Sequence, residues 1–385
     1  MHYKTILAAA LAVNAAAADS TSMNLTSLIA SNSNLSALGT LLKAYPSIAS
    51  SLANATNVTV LAPDNAAISA LNTSMSSMSS STNMTKYIEA LLDYHVIPGK
   101  LFASNFSSTP IFPHTMLNMT MYSNVTDGQV VECVLSGTQA EIISGMKMVS
   151  NVTQANLNFS GGVVHVIDKV LTIPDNFSTT AQAADLTDCV GATNALNLTS
   201  TLDTATDITI FAPSNSAFQD IATGLTKLNT SQLTDILEYH VLNGTVDYST
   251  SLKNGTLTMM NGKNLTVRIE KGAIFVNAAR IINADILIAN GVIHVIDSVL
   301  NPNNTAGPNP TMTGVATAFS GASSGTVPFT SGVTSPTSTN AALVTTNSAV
   351  ASSYSTTNTA AIAMPTGAIG AAALFGGAAF LANNV

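Results

Sequence analysis

Four histidines stand in repeated surroundings. His95 follows Tyr94 and His240 follows Tyr239, while His165 and His294 lie in Gly-Val-Val-His-Val-Ile-Asp and Gly-Val-Ile-His-Val-Ile-Asp. A histidine with a nearby carboxylate suggests a proton relay or a metal ligand. The surroundings favour a structural role. Val163–Val170 and Val292–Leu300 are apolar runs rich in β-branched residues, and buried polar groups in such runs are normally hydrogen-bonded. Asp168 and Asp297, three residues further on, point to the opposite face of an extended strand. Tyr94 and Tyr239 read as half-buried aromatics with hydrogen-bonded hydroxyls, with an adhesive contact as the alternative. No nucleophile elbow, His-Glu-x-x-His, phosphate loop or calcium loop occurs. Cys133 and Cys189 have no Cys or His at metal-ligand spacing. The expectation is therefore no catalytic residue, no metal and no cofactor. In an oxidising compartment an even cysteine count favours one disulfide, Cys133–Cys189, with two buried free thiols as the alternative.

The elements around these residues recur. Thr59-Val60-Leu61-Ala62-Pro63-Asp64-Asn65 matches Thr209-Ile210-Phe211-Ala212-Pro213-Ser214-Asn215, and the Tyr-His and Gly-Val blocks follow in the same order. Three ordered blocks, each present twice, establish a duplicated, domain-sized unit. Val58–Leu61 and Ile208–Phe211 predict buried strands. Asp64-Asn65 and Ser214-Asn215 predict helix N-caps before Ala66–Leu71 and Ala217–Leu225. Ile88, Leu91 and Leu92, like Leu233, Ile236 and Leu237, recur at helical spacing up to the Tyr-His pair. Each copy is a mixed α+β unit. The first copy is longer, with extra residues at Thr73–Thr85 and between His95 and His165, which read as surface loops.

Of 385 residues, 8% are charged, with 12 Lys+Arg against 20 Asp+Glu and no basic cluster, so there is no footprint for nucleic acid. Lys4, the apolar Ile6–Val13 and the small residues to Ala18 predict an export signal over 1–18, too short to span a bilayer. Eighteen Asn-x-Ser/Thr triplets occur. On an exported chain several are expected to carry glycans, with Asn24, Asn57, Asn118, Asn124, Asn151, Asn197, Asn254 and Asn264 as candidates. After Asp297 no charged residue or histidine occurs. Residues 303–358, dominated by Ser, Thr, Ala and Gly, predict a disordered, O-glycosylated stalk. The apolar tail within 359–385 resembles a signal for a glycosylphosphatidylinositol anchor attached at Asn358, with Asn347 and Gly367 as alternatives and a transmembrane helix as the competing reading.

The repeated blocks resemble the fasciclin-like domain family, over domains at 24–174 and 181–302. The signal, stalk and tail resemble fungal cell-surface members. The resemblance implies two tandem domains, each a β-wedge flanked by helices, acting in adhesion and extracellular interaction. It also implies two candidate adhesive features. One is the Tyr-His region, Tyr94-His95 and Tyr239-His240. The other is an Asp-Ile pair before the last block, present as Asp285-Ile286 and replaced by Asn156-Leu157 in the first copy. On that basis the second domain is the better adhesive candidate. The expected partner is a cell-surface, matrix or cell-wall protein or glycan. The expected location is the outer face of the plasma membrane or the cell wall, with the vacuolar membrane as alternative. A structural wall component is the competing function, and a glycan-active enzyme a distant third.

Overall fold

The computed structural model describes residues 23–76, 82–307, 319–329 and 341–344, together with 333, 334 and 336. The expected export signal, the anchor tail, Asn347, Asn358, Gly367 and much of the stalk lie outside the described residues.

The first copy runs α1 (Leu25–Ser31), α2 (Ser36–Ala44), α3 (Pro46–Asn54), β1 (Val58–Pro63), α4 (Asn65–Ser76), α5 (Thr82–Tyr94), β2 (Val96–Pro98), β3 (Glu132–Ser136), β4 (Gln139–Ile143), β5 (Val149–Phe159) and β6 (Gly162–Ile167). The second runs α6 (Phe177–Ala183), α7 (Thr187–Ala195), α8 (Thr199–Thr204), β7 (Ile208–Pro213), α9 (Asn215–Asp220), α10 (Ala222–Leu225), α11 (Thr230–Glu238), β8 (Val241–Asn243), β9 (Gly255–Thr258), β10 (Asn264–Glu270), β11 (Ala273–Val276), β12 (Ala279–Ile288) and β13 (Gly291–Ile296). The final short helix is α12 (Ala341–Val344).

Each copy builds one mixed sheet. The strand orders are β2-β1-β6-β5-β4-β3 and β8-β7-β13-β12-β11-β10-β9. In both, the strand of the first repeated block lies parallel to the strand of the last, with Val58 opposite Gly162 and Ile208 opposite Gly291. These four strands are buried along their whole length, as their unbroken apolar runs require. The glycines that open β6 and β13 are sterically required. A Cβ at Gly162 would lie 1.8 Å from the Val58 carbonyl oxygen, and one at Gly291 1.8 Å from that of Ile208.

The polar pair after each first strand divides its work. Asp64 and Ser214 accept from the backbone N–H of Ala67 and Ala217, capping α4 and α9 as expected. Asn65 and Asn215 instead reach back, accepting from Ala37 N and Asp188 N, and so tie α2 and α7 to the following helices. The helical stripe expected over Ala217–Leu225 is broken at Ile221 into α9 and α10.

Two expectations about extra residues are corrected. Much of Thr73–Thr85 is helix, because α4 continues to Ser76 and α5 begins at Thr82. The long segment between β2 and β3 is not a free surface loop, because it forms much of the seam with the second domain. There Phe112 stacks on Tyr248 with ring centroids 4.3 Å apart. Gln129 Nε2 donates to Ile288 O at 3.0 Å, Asn124 N donates to Ala289 O at 2.8 Å, and Thr126 hydrogen-bonds Asp207.

The expected stalk also begins differently. Described parts of it lie against the second domain, where Val327 and Leu343 join the core of α6, α7 and β7. Isolated aromatic and aliphatic residues in an otherwise Ser/Thr-rich run supply the apolar surface that docks them.

Candidate functional site

The Tyr-His pairs lie inside, not on, the protein. Tyr94, His95, Tyr239 and His240 are all buried. The backbone N–H of Leu171 donates to His95 Nε2 at 3.0 Å, so that nitrogen carries no proton. Nδ1 then donates to the Leu91 carbonyl, 2.6 Å away. His240 repeats the arrangement with Leu300 N at 2.9 Å and Ile236 O at 2.7 Å. Each ring thus bolts the end of a helix, α5 or α11, to the chain leaving the last strand. Burial lowers both histidines to about 4, against the opposing pull of the Leu91 and Ile236 carbonyls. They are neutral ties at physiological pH. Tyr94 donates its hydroxyl hydrogen to Val130 O at 2.8 Å, and Tyr239 donates to Asn264 O at 2.7 Å. In the folded chain all four side chains face inward and are hydrogen-bonded to backbone.

His165 and His294 are also buried, and burial lowers both. Their Nε2 atoms bond the carbonyls of Leu101 at 2.7 Å and Asp247 at 2.8 Å. On the other side, Nδ1 faces a β-bulge in the neighbouring strand, where Asn156 N and Asp285 N approach at 3.4 and 3.3 Å. Asn156 and Asp285 are the bulge residues, with φ of 61° and 60°. Asn and Asp tolerate this left-handed conformation better than other side chains. Their side chains then do one job. Asn156 Oδ1 accepts from Ala103 N at 2.9 Å, and Asp285 Oδ1 from Ser249 N at 2.7 Å, pinning the segment that follows β2 or β8.

This corrects the expectation for Asp285-Ile286. Asp285 is 4% exposed and Ile286 fully buried, so neither offers a surface to a ligand. The difference between Asp285 and Asn156 does not make the second domain the adhesive one. It has a different consequence. Asp285 lies at the seam, in electrostatic reach of Glu132 of the first domain, and His294 feels both Asp285 and the first domain's Lys147. Lys147 Nζ stands 3.9 Å from Glu132 Oε2, and both side chains are nearly buried. Burial raises the Glu132 carboxyl, to about 7, while Lys147 opposes the shift. Sequence patterning missed this cluster because its members are far apart in the chain and each stands alone among apolar or small residues.

The expected Cys133–Cys189 bridge is not formed. Both thiols are free and buried, Cys133 in the core of the first domain and Cys189 in that of the second. Burial pushes the Cys189 thiol up to about 12 and Cys133 higher still, so both are inert thiols. Among the described residues no cluster of three His, Cys, Asp or Glu side chains could hold a metal, and no helix is long and apolar enough to cross a membrane.

Of the named glycosylation candidates, Asn24, Asn57, Asn118, Asn197, Asn254 and Asn264 are exposed. Asn124 is half-buried at the interdomain seam, and Asn151 is half-buried with its amide donating to Asp168 Oδ2 at 2.7 Å.

The Fasciclin domain profile matches residues 33–174 and 184–302. A fasciclin-like arabinogalactan protein of Arthroderma benhamiae is 34% identical over 305 residues, covering 78% of this chain and 72% of that protein. One from Phaeosphaeria nodorum, elcF, is 30% identical, covering 72% of this chain and 88% of that protein. Human periostin is 29% identical across 55% of this chain and 24% of periostin. A solved FAS1 domain pair from the insect cell adhesion molecule Fasciclin I is 18% identical and aligns over 69% of this chain and 95% of that chain, with a TM-score of 0.33. With two matched domains, the Tyr-His ties and the repeated sheet, the chain belongs to the fasciclin domain family.

Proposed function

We propose that this chain is a cell-surface glycoprotein that works by adhesion or binding through the outer faces of its two fasciclin domains, and is not an enzyme. One observation carries the reading. The side chains that could do chemistry are spent on holding the fold, since all four repeated histidines are buried and hydrogen-bonded to backbone. What remains outward is a surface rich in Ser, Thr and Asn and sparse in charge, with exposed acceptor asparagines. Such a surface suits contact with protein or glycan partners better than catalysis. The similarity to fasciclin-like arabinogalactan proteins agrees with it. The chain reaches this surface by export and is held by a lipid anchor at Asn358.

The test is attachment of cells that display the full chain, compared with a deletion strain. Loss of attachment on deletion supports adhesion. Unchanged attachment together with a weakened cell wall supports the structural reading instead. Phosphatidylinositol-specific phospholipase is expected to release the chain from membranes.

A further inference from the structure

The seam between the two domains encloses a carboxylate with an oxygen to spare. Glu132 of β3 is 7% exposed, and its Oε2 has no hydrogen-bond partner among the described residues. Lys147 Nζ stands 3.9 Å from that oxygen, close enough to attract it and too far to donate a hydrogen bond. Across the seam Asp285 of β12 repels the ionised carboxyl, and so does Glu141 of the adjoining β4.

The groups around this site are engaged elsewhere or carry no charge. Asp285 already accepts from Ser249 N. His294 of β13 uses one ring nitrogen on the Asp247 carbonyl and turns the other to Asp285 N. Tyr94 gives its hydroxyl hydrogen to Val130 O. Tyr248 of the second domain also feels Asp285, and its buried hydroxyl has no partner among the described residues. Two segments close the site. Met146 and Lys147 take φ of 55° and 52°, a conformation that side chains other than Asn and Asp rarely adopt. Lys147 lies nearly buried beside Glu132, while Met146 packs on the core of the second domain. Helix α12 rests on both this turn and β12, where Asn283 Nδ2 donates to Leu343 O at 2.8 Å and Ala342 O at 3.2 Å. It brings no titratable side chain.

A buried charge that is incompletely paired is costly, and neutralisation removes the cost. Glu132 and Asp285 together outnumber the ammonium of Lys147, and Glu132 is the one with a free oxygen. We propose that Glu132 is a proton-binding site of the interdomain seam: docking of the two domains takes up one proton there, and losing it loosens the seam. Burial holds this carboxyl at about 7 in the folded chain, against 4.5 for an ordinary glutamate. The seam is therefore fully stabilised by the proton below pH 4.5, and that stabilisation is lost as pH rises to 7. The sense is opposite to that of the His95 and His240 ties, which weaken on acidification. The site governs how the two domains are held together, so it goes beyond the adhesion reading and stands whether or not the outer faces bind a cell.

The experiment is hydrogen exchange on the full chain from about pH 5 to about pH 8, with each rate divided by the intrinsic rate at that pH. The reporters are the amides of Asn124, Thr126 and Asp207, which cross the seam to Ala289 O, Asp207 Oδ1 and Asn124 O. Their protection is expected to fall by on the order of fiftyfold over this range. The core amides of Leu61 and Phe211, bonded to the carbonyls of His95 and His240, should show no fall. Glu132→Gln imitates the protonated carboxyl and should hold seam protection at its acid value throughout. Seam protection independent of pH, an equal fall at the core amides, or a fall retained in Glu132→Gln overturns the proposal. If Glu132→Gln fails to fold, Asp285→Asn removes the charge facing Glu132 and should shrink the fall, and an unchanged fall in that variant also overturns it.

Discussion

In the first domain the bulge residue is Asn156, and in the second it is Asp285, yet both accept one hydrogen bond from the backbone of the segment they pin. His95 and His240 likewise tie equivalent helices to equivalent chain ends. The two domains differ elsewhere. The first sends its long segment between β2 and β3 into the seam, and a groove between its α1, α2 and α3 stands open. In the second, residues 319–329 lie as a strap across α7, α9 and α10. Duplication has kept the internal ties and varied the outer faces. Recurrence in this chain therefore marks structure, and the differences between copies lie at the seam and on the outer faces.

The largest test of that comparison is removal of the ties. His95→Ala and His240→Ala each leave one buried N–H and one buried carbonyl unpaired, at about 1–3 kcal/mol per group. Each variant is expected to lose about 4 kcal/mol, measured by urea unfolding, and the two losses should be similar. A loss below about 1 kcal/mol in either domain would break the equivalence, since it would mean the tie is not shared.

Acidification tests the same residues without mutation. Both folded histidines are lowered from 6.5 to about 4. The unfolded chain thus binds protons first, so stability present above pH 6.5 is lost as pH falls toward 4. The loss is on the order of 3 kcal/mol per histidine, read as a falling urea midpoint. Glu132 acts in the opposite sense. Its raised carboxyl takes up a proton in the folded chain before it does in the unfolded one, so acidification relieves the seam while it loads the cores.

Much of this fold was legible in the sequence. The paired blocks located β1, β6, β7 and β13, and Asp64 and Ser214 cap helices as their types indicate. The role of Asn65 and Asn215 was hidden, because a tie to a helix about 30 residues earlier leaves no local signature. The adhesive candidates came from the family resemblance, and only the tertiary structure shows that Tyr94, His95, Tyr239, His240 and Asp285 satisfy themselves internally. The cysteines misled, since parity counts residues and says nothing of the two separate cores that hold Cys133 and Cys189. The strap was invisible because composition averages over its few apolar anchors.

A smaller effect sharpens the comparison at the bulge. Asp285→Asn keeps the acceptor for Ser249 N and makes the second domain resemble the first. It should change stability by less than about 1 kcal/mol, whereas Asp285→Ala, which removes the acceptor, should cost about 1–3 kcal/mol. Cell attachment should follow stability in both. If Asp285→Asn abolishes attachment while leaving the urea midpoint in place, Asp285 acts on a ligand and its burial is not the whole account.

The smallest effect concerns two acceptor asparagines in the first domain. Asn118 is exposed, and a glycan there displaces nothing. Asn151 is held twice by Asp168, through its backbone N–H at 2.7 Å and its side-chain amide at 2.7 Å. A glycan on Asn151 would use the amide nitrogen that Asp168 accepts from, in a half-buried site where a lost charge-assisted bond is not fully replaced by water. Glycosylation is therefore expected at Asn118 and not at Asn151. Asn118→Gln should increase gel mobility by one glycan without changing the urea midpoint. Asn151→Gln should leave mobility unchanged and lower stability by about 1 kcal/mol, because the longer side chain cannot keep the amide bond to Asp168 Oδ2. A mobility change at Asn151 would show that the amide is free when the glycan is added, which places the Asn151–Asp168 pairing after glycosylation and removes it as a reason for site choice.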